Sequence, residues 1–434
     1  MASTKSRMNA LRLLAASAAL CMVASSASAE VNSVAARYLA SGQIDPGFNG
    51  SGFFIGTAAG HDVLNDVVTD SNSRAVVCGH VTDAFGNWQM VVGRFNANGT
   101  VDTSFGFLGL SWVGLGTPST ATACAINPHN GRILVAVETG VLGGAATPNM
   151  VLVSLTSGGQ LDAGFGGGTG YVTLSLPGAA HAWPVDVRVS GGKIIVAGDL
   201  DNTAAGVNND AFVARFHSTG ALDNSFGTGG LFRSNMGFTN MAVRGMDADG
   251  IGRPVLVGSA GGQTLIARLT TAGVPDPGFD TDGKRQFSFP SQVASEARSV
   301  FTSGSTITLG GIVAYAVNGP WSPSVMRLVD SGAGDPTFVN AGGWAVVAPS
   351  VLPGSTIVND IARSPVNGDA VLTAANKLNS GLYSLTVLRF TTAGILKPSF
   401  DLDGIVITST TVNVHPLAVW VDGVDRATAV GYLE

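Results

Sequence analysis

The sequence predicts an all-β protein, a seven-bladed β-propeller of four-stranded blades whose N- and C-terminal strands pair within one blade. Three observations lead to this prediction. A short motif recurs seven times at intervals of 53 to 62 residues, each interval holds four β-type segments, and the chain begins and ends at complementary points of the interval.

The motif is easiest to follow from its aromatic residue. It reads GQIDPGF, GTVDTSF, GQLDAGF, GALDNSF, GVPDPGF, GAGDPTF and GILKPSF, and its phenylalanines are Phe48, Phe105, Phe165, Phe226, Phe279, Phe338 and Phe400. An aspartate stands three residues earlier in six copies: Asp45, Asp102, Asp162, Asp223, Asp276 and Asp335. An arginine stands eleven residues earlier in six copies: Arg37, Arg94, Arg215, Arg268, Arg327 and Arg389. A register kept through seven copies indicates a repeated structural unit.

These repeated residues are interpreted as structural. The arginine and the aspartate eight residues later are expected to form an ion pair that ties a strand to the next turn, and each phenylalanine is expected to fill the space between blades. The alternative is a ring of seven ligand sites. Asp162 lacks the arginine because Ser154 replaces it, and Arg389 faces Lys397, so the pattern indicates that two blades do without the pair. A glycine that suits a turn of positive φ follows the phenylalanine by four residues in most copies, as at Gly342.

Four β-type runs separate successive motifs. In the third unit they are GYVTLSL (170–176), PVDVRVS (184–190), KIIVAG (193–198) and AFVARF (211–216). Alternating or β-branched runs of this length predict strands. The chain starts with an arginine-bearing strand (33–38) and stops at the run that precedes that strand elsewhere (426–432), so pairing of the two termini is expected to close a ring. A linear solenoid is the alternative, but it would need distinct capping units.

Residues 1–29 predict a signal peptide, because Lys5, Arg7 and Arg12 precede an apolar run and the small residues 27–29. The propeller would then occupy residues 30–434 and be exported to the periplasm or the medium. No transmembrane anchor is expected. Removing residues 1–29 takes away three of the 23 Lys+Arg residues and none of the 29 Asp+Glu, which leaves a net charge of −9 and argues against a nucleic-acid partner.

Two cysteines, Cys78 and Cys124, remain in the predicted mature chain. They either form a disulfide in an oxidising compartment or are two small buried residues.

The recurring R-x(4)-G-x-[LIV]-D-x-[SG]-F pattern resembles the delta-60 repeat family of bacterial β-propeller proteins over nearly all of residues 33–434. The resemblance implies the fold and export. It supplies no catalytic residues, and Ser154 and Lys397 depart from the pattern.

No catalytic motif for a zinc hydrolase, an esterase, a phosphate loop or a thiol redox site is present. No cofactor is therefore predicted. The turns at 279–283, 400–404 and 247–250 hold paired aspartates with a glycine, which leaves calcium as an alternative to ordinary polar turns.

Function is expected where the repeats differ. The loops that enter the first strand and leave the second strand of each unit vary in length, and they should share one face, called here the variable face. It carries His61, His80, Trp88, His181, Trp183, Trp321 and His415. We expect a non-enzymatic binding or scaffold protein that engages a protein or a glycan there. The alternatives are loop residues that merely cover the blade ends, and a hydrolase or lyase with a histidine cluster at the channel mouth.

Overall fold

The prediction of a seven-bladed propeller is confirmed. The structure, a computed structural model, describes residues 31–434 except 57–60, 84, 141–148, 177, 180, 202–208, 340–341 and 353. Its strands form seven four-stranded antiparallel sheets, and a 3₁₀ turn lies at Gly166–Gly168. The predicted signal peptide falls outside the described residues. Within them, no helix is long and apolar enough to cross a membrane.

The strands are numbered in chain order, and the blades from the one that both termini share. Blade 1 contains β1 (Asn32–Tyr38), β2 (Phe53–Ile55), β27 (Val414–Val421) and β28 (Ala427–Leu433). Blade 2 contains β3 (Asp62–Thr69), β4 (Ala75–Thr82), β5 (Trp88–Phe95) and β6 (Leu110–Trp112). Blade 3 contains β7 (Ser119–Ile126), β8 (Ile133–Thr139), β9 (Asn149–Leu155) and β10 (Tyr171–Ser175). Blade 4 contains β11 (His181–Ser190), β12 (Lys193–Asp201), β13 (Asn209–Phe216) and β14 (Leu231–Ser234).

The remaining three blades follow the same order. Blade 5 contains β15 (Met241–Ala248), β16 (Pro254–Ala260), β17 (Gln263–Arg268) and β18 (Lys284–Phe287). Blade 6 contains β19 (Ala294–Ser303), β20 (Thr306–Ala314), β21 (Trp321–Val329) and β22 (Trp344–Val346). Blade 7 contains β23 (Thr356–Arg363), β24 (Ala370–Lys377), β25 (Tyr383–Phe390) and β26 (Ile405–Thr408).

The ring closes through blade 1, as predicted. The sheet order is β2-β1-β28-β27, with Asn32 opposite Leu433 and Tyr38 opposite Ala427. The first strands of successive blades contact one another all the way round, including β27 with β3. They therefore surround the central channel, and the later strands of each blade lie further out.

The hydrophobic core is divided among the seams between blades. Seven apolar clusters each combine residues of two adjacent blades. The motif phenylalanines lie in these clusters and are buried. Phe48, for example, packs with Val77 and Phe95 of blade 2. A Cβ on Gly99, which opens the next motif, would lie 2.5 Å from the Phe48 ring, so that glycine makes room for the aromatic side chain.

Each motif arginine joins its own turn to the following blade. Arg94 donates from Nε to Asp102 at 2.8 Å, donates from Nη1 to the carbonyl of Ser157, and lies over the Phe105 ring at 4.6 Å. The same ion pair joins Arg37 to Asp45, Arg215 to Asp223, Arg268 to Asp276, and Arg327 to Asp335. Ion pairing, a backbone hydrogen bond and an aromatic contact thus recur at one place.

Blades 3 and 7 lack the arginine–aspartate pair of the motif, as expected, and their charged residues have other partners. In blade 3, Asp162 accepts from the Ser154 hydroxyl and pairs at 2.8 Å with Arg132, which precedes the second strand. In blade 7, the signs of two charges are exchanged relative to blade 2. Asp369 stands where Arg74 stands, and it pairs with Lys397 at 2.5 Å and Arg389 at 2.9 Å. Both blades therefore keep an ion pair at this turn, although the motif pair itself is absent.

The turn glycine of the sixth copy is Gly343 rather than Gly342. Gly343 has φ +76°, and its carbonyl accepts the Arg327 N–H, as the Gly52 carbonyl accepts the Arg37 N–H in blade 1. One extra residue in this turn moves the glycine along by one position.

Candidate functional site

The seven predicted surface residues lie towards the variable face, but they form separate groups. In blade 2, His80 of β4 stacks on Trp88 of β5 at 4.3 Å, and its Nδ1 is 2.9 Å from the Thr120 hydroxyl of blade 3. His80 is buried. Burial lowers its pKa to about 4, with a smaller contribution from His61, so the imidazole is neutral at pH 7.

A second group joins blades 3 and 4. His181 begins β11, is exposed, and stacks on Trp183 at 5.4 Å. The Trp183 side chain hydrogen-bonds Glu138 of β8, and burial raises the pKa of Glu138 to about 7 against the effect of that hydrogen bond. This pair places an aromatic surface next to a carboxyl group that titrates near neutrality.

A third group lies at the closing blade. His415 of β27 stacks on Tyr432 at 4.7 Å and contacts the Tyr383 ring of blade 7 at 5.3 Å. Its Nε2 is 3.3 Å from Glu434. Burial lowers the pKa of His415, opposed by the charge of Glu434. Trp321, at the start of β21, belongs to none of these groups, and its backbone N–H donates to the Ser355 hydroxyl.

The structure does not bring the histidines to a common point. No hydrogen bond or ring contact of the described residues joins His61, His181 and His415 to one another. Outside the masked segments, the one group of three metal-ligating side chains within 4.8 Å contains no histidine, and consists of Asp66, Cys78 and Cys124.

The two cysteines meet across the seam between blades 2 and 3. Cys78 lies on β4 and Cys124 on the first strand of blade 3, and both thiols are free and buried. Burial raises both thiol pKa values, which keeps the sulfurs protonated.

The channel holds polar residues that lie outside the repeated motif. A β-bulge interrupts every first strand, and the bulged residues are Asn65, Thr122, Val185, Arg244, Arg298, Asn359 and Leu417. All seven line one cavity of about 940 Å³, which extends from the bulges to the turns that join the first and second strands. Asp66, Asp186, Arg188, Asp247 and Asp360 also line it.

The sequence carries a signal for this site. Asn65-Asp66 and Asn359-Asp360 put two polar residues side by side within apolar runs, which a regular strand with one buried face does not accommodate. A β-bulge adds one residue to the strand and changes the direction of the neighbouring side chains, so that two consecutive polar residues can both be accommodated.

In one of the turns that left calcium as an alternative, the two aspartates have separate partners. Asp247 accepts from the Thr302 N–H at 2.6 Å, whereas Asp249 pairs with Arg253 at 2.6 Å. In the turn at 279–283, Asp282 is exposed and lies 3.9 Å from Lys284.

Comparisons with known proteins support a β-propeller repeat family. A family model described as a domain of unknown function (DUF5122) beta-propeller matches residues 72–105 and 192–226. No curated protein matches the sequence. Among solved structures, Drosophila semaphorin 2a is 10% identical with a TM-score of 0.46, over 86% of this chain and 73% of that one. The GH43 endo-arabinanase from Bacillus licheniformis is 15% identical with a TM-score of 0.34, over 63% and 94%. These distant likenesses carry no functional argument.

Proposed function

We propose that the chain is an exported, non-enzymatic binding propeller that engages a glycan or a protein through its variable face. The observation that carries this proposal is the set of three His–aromatic stacks on blades 2, 4 and 1. The stacks of blades 4 and 1 involve the first strand, and that of blade 2 joins the second and third strands. Flat aromatic surfaces that are already held in place lose little conformational entropy when a partner covers them.

The alternative, a hydrolase or lyase that uses a histidine cluster, has less support. It needs several histidines near one point, whereas the contacts divide them among three groups. A buried histidine with a pKa of about 4, such as His80, is also a poor general base at pH 7.

The experiment is thermal melting of residues 30–434 with a panel of oligosaccharides. A ligand that binds only the native ring at 100 times its Kd adds about 2.7 kcal/mol to the free energy of unfolding and raises the Tm. Trp183→Ala is expected to abolish the shift. Trp112→Ala is the control, because Trp112 is half-exposed on the outermost strand of blade 2. If no glycan raises the Tm, the glycan part is wrong, and a shift that survives Trp183→Ala contradicts the assignment of the face.

Export is tested separately. The full chain is expressed in a Gram-negative host, and the N-terminus of the secreted or periplasmic product is sequenced. The expected first residue is Glu30. Recovery of an uncleaved chain from the cytoplasm would contradict export.

A further inference from the structure

The channel cavity is distinct from the variable face. Its volume of about 940 Å³ is in the range of small-molecule sites, and none of the seven predicted surface residues lines it. Five arginines line it, together with several acidic residues, so the question is which of these charges already have partners. Arg74 is paired with Asp70 and Asp102 at the turn between the first and second strands of blade 2.

Asp66 of blade 2 and Asp360 of blade 7 are hydrogen-bonded to the backbone of the channel wall. Asp66 accepts from the Val67 N–H at 2.7 Å and, across the seam, from the Cys124 N–H at 2.8 Å. Asp360 likewise accepts from the N–H of the next residue and from the Val419 N–H of blade 1, both at 2.8 Å. Their oxygens thus satisfy backbone donors that the bulges leave free.

Arg188 has its own acidic partners. It pairs with Asp186 at 2.5 Å and with Asp247 at 3.3 Å. Asp186 also accepts from the Met246 N–H at 3.3 Å, and Asp247 from the Thr302 N–H at 2.6 Å. One guanidinium and two anchored carboxylates therefore leave no surplus of positive charge at this point.

Arg244 and Arg298 are different, because they share one carboxylate. They are the bulged residues of blades 5 and 6, and they approach Glu296 at 2.5 Å and 3.4 Å. The Arg244 side chain is 44% exposed. The Nε of Arg298 is buried and has no hydrogen-bond partner. Two guanidiniums, one of them with a buried unpaired donor, thus border the cavity and share Glu296 as their ion-pair partner.

We propose that Arg244 and Arg298 form a binding site for a small oxyanion, carrying carboxylate or phosphate groups, inside the channel. The planar guanidinium presents paired N–H donors that match both groups. Burial and the neighbouring Arg244 lower the pKa of Arg298. A bound anion would offset both effects, so its binding beside Arg298 is electrostatically favourable.

The test is a thermal shift and calorimetric titration with citrate and with inorganic phosphate, at an ionic strength held constant with sodium chloride. At least one anion is expected to raise the Tm of the wild type by several degrees and to bind with one-to-one stoichiometry. Arg244→Met is expected to remove the effect, and so is Arg298→Met. Arg285→Met, which removes an arginine from β18, is the control and should keep it.

Glu296→Gln separates a specific site from general anion stabilisation. Because Glu296 competes with the ligand for both guanidiniums, its neutralisation is expected to tighten binding several-fold. The inference is overturned if neither anion acts beyond the sodium chloride control, if Arg244→Met keeps the full shift, or if Glu296→Gln leaves the affinity unchanged. Binding of oligosaccharides at the variable face does not depend on any of these outcomes.

Discussion

Exchanging the charges of Asp369 and Lys397 tests whether the ion pairs of the blades are interchangeable. In blade 2, Arg74 contacts the Asp102 carboxylate at 3.4 Å, and that carboxylate also accepts from Arg94. In blade 7, the acid and the base have changed places, and Asp369 accepts from both Lys397 and Arg389. The double variant Asp369→Arg/Lys397→Asp would recreate in blade 7 the arrangement of blade 2.

The magnitude follows from the burial of the pair. The side chain of Asp369 is 6% exposed and that of Lys397 is 24% exposed. Removing one partner of a buried pair costs about 3–5 kcal/mol, and the partial exposure of Lys397 favours the lower end. Each single substitution should therefore lower the free energy of unfolding by about 3 kcal/mol, because it leaves two like charges side by side. The free energy of unfolding of the double variant should lie within about 1 kcal/mol of the wild-type value, because the double variant restores the ion pair.

The assay is urea denaturation at pH 7, followed by tryptophan fluorescence, with the midpoint and slope fitted for the four proteins of the cycle. Both single variants should unfold at lower urea than the wild type, and the double variant should return close to it. Additive losses of about 6 kcal/mol in the double variant would refute the interpretation that Asp369 and Lys397 replace Arg74 and Asp102.

Three other predictions concern the seams between blades. Phe226→Ala, which empties the space between blades 4 and 5, should cost about 3–5 kcal/mol in the same urea assay, and a loss below about 1 kcal/mol would contradict the packing role. Burial raises the pKa of Asp66 to about 6, so the folded chain retains a proton that the unfolded chain releases above about pH 4. Stability should therefore fall between about pH 4 and pH 6, by at most about 1.4 kcal/mol per pH unit, and Asp66→Asn should flatten that part of the profile. Refolding the reduced chain with oxidised glutathione should join Cys78 to Cys124, since the sulfurs lie within 4.8 Å. The closed loop should add about 4 kcal/mol, and full alkylation in denaturant without reductant would show that no disulfide forms.

The fold could be predicted because its determinants recur. A single copy of the motif does not predict a fold, but seven copies in register predict seven blades. The sequence starts and stops within one repeat, which predicts that β1 and β28 pair to close the ring. The exchange at Asp369 and Lys397 was also readable in principle, from the residue that precedes each second strand. The motif alone does not reveal it, because Asp369 lies outside the motif.

The channel could not be predicted in the same way, because its residues do not repeat. Arg188, Arg244 and Arg298 come from three blades and meet only when the ring is formed. Whether a polar residue in a first strand faces the channel or a seam depends on the bulge, which shifts the alternation by one residue. The histidines of the variable face were the basis of the alternative of a cluster at the channel mouth. The structure places His80, His181 and His415 in three separate groups, because equivalent positions of a repeat lie around the circumference of the ring.

Ring closure has a consequence for how the protein is made. The edge of β1 is covered by β28, so the first strand of the chain waits for the last one to be synthesised. A chain that stops before Ala427 leaves one edge of β1 with unpaired backbone donors and acceptors. Such an edge favours aggregation and proteolysis. Completion of the ring thus separates a chain that contains β28 from one that is truncated before it.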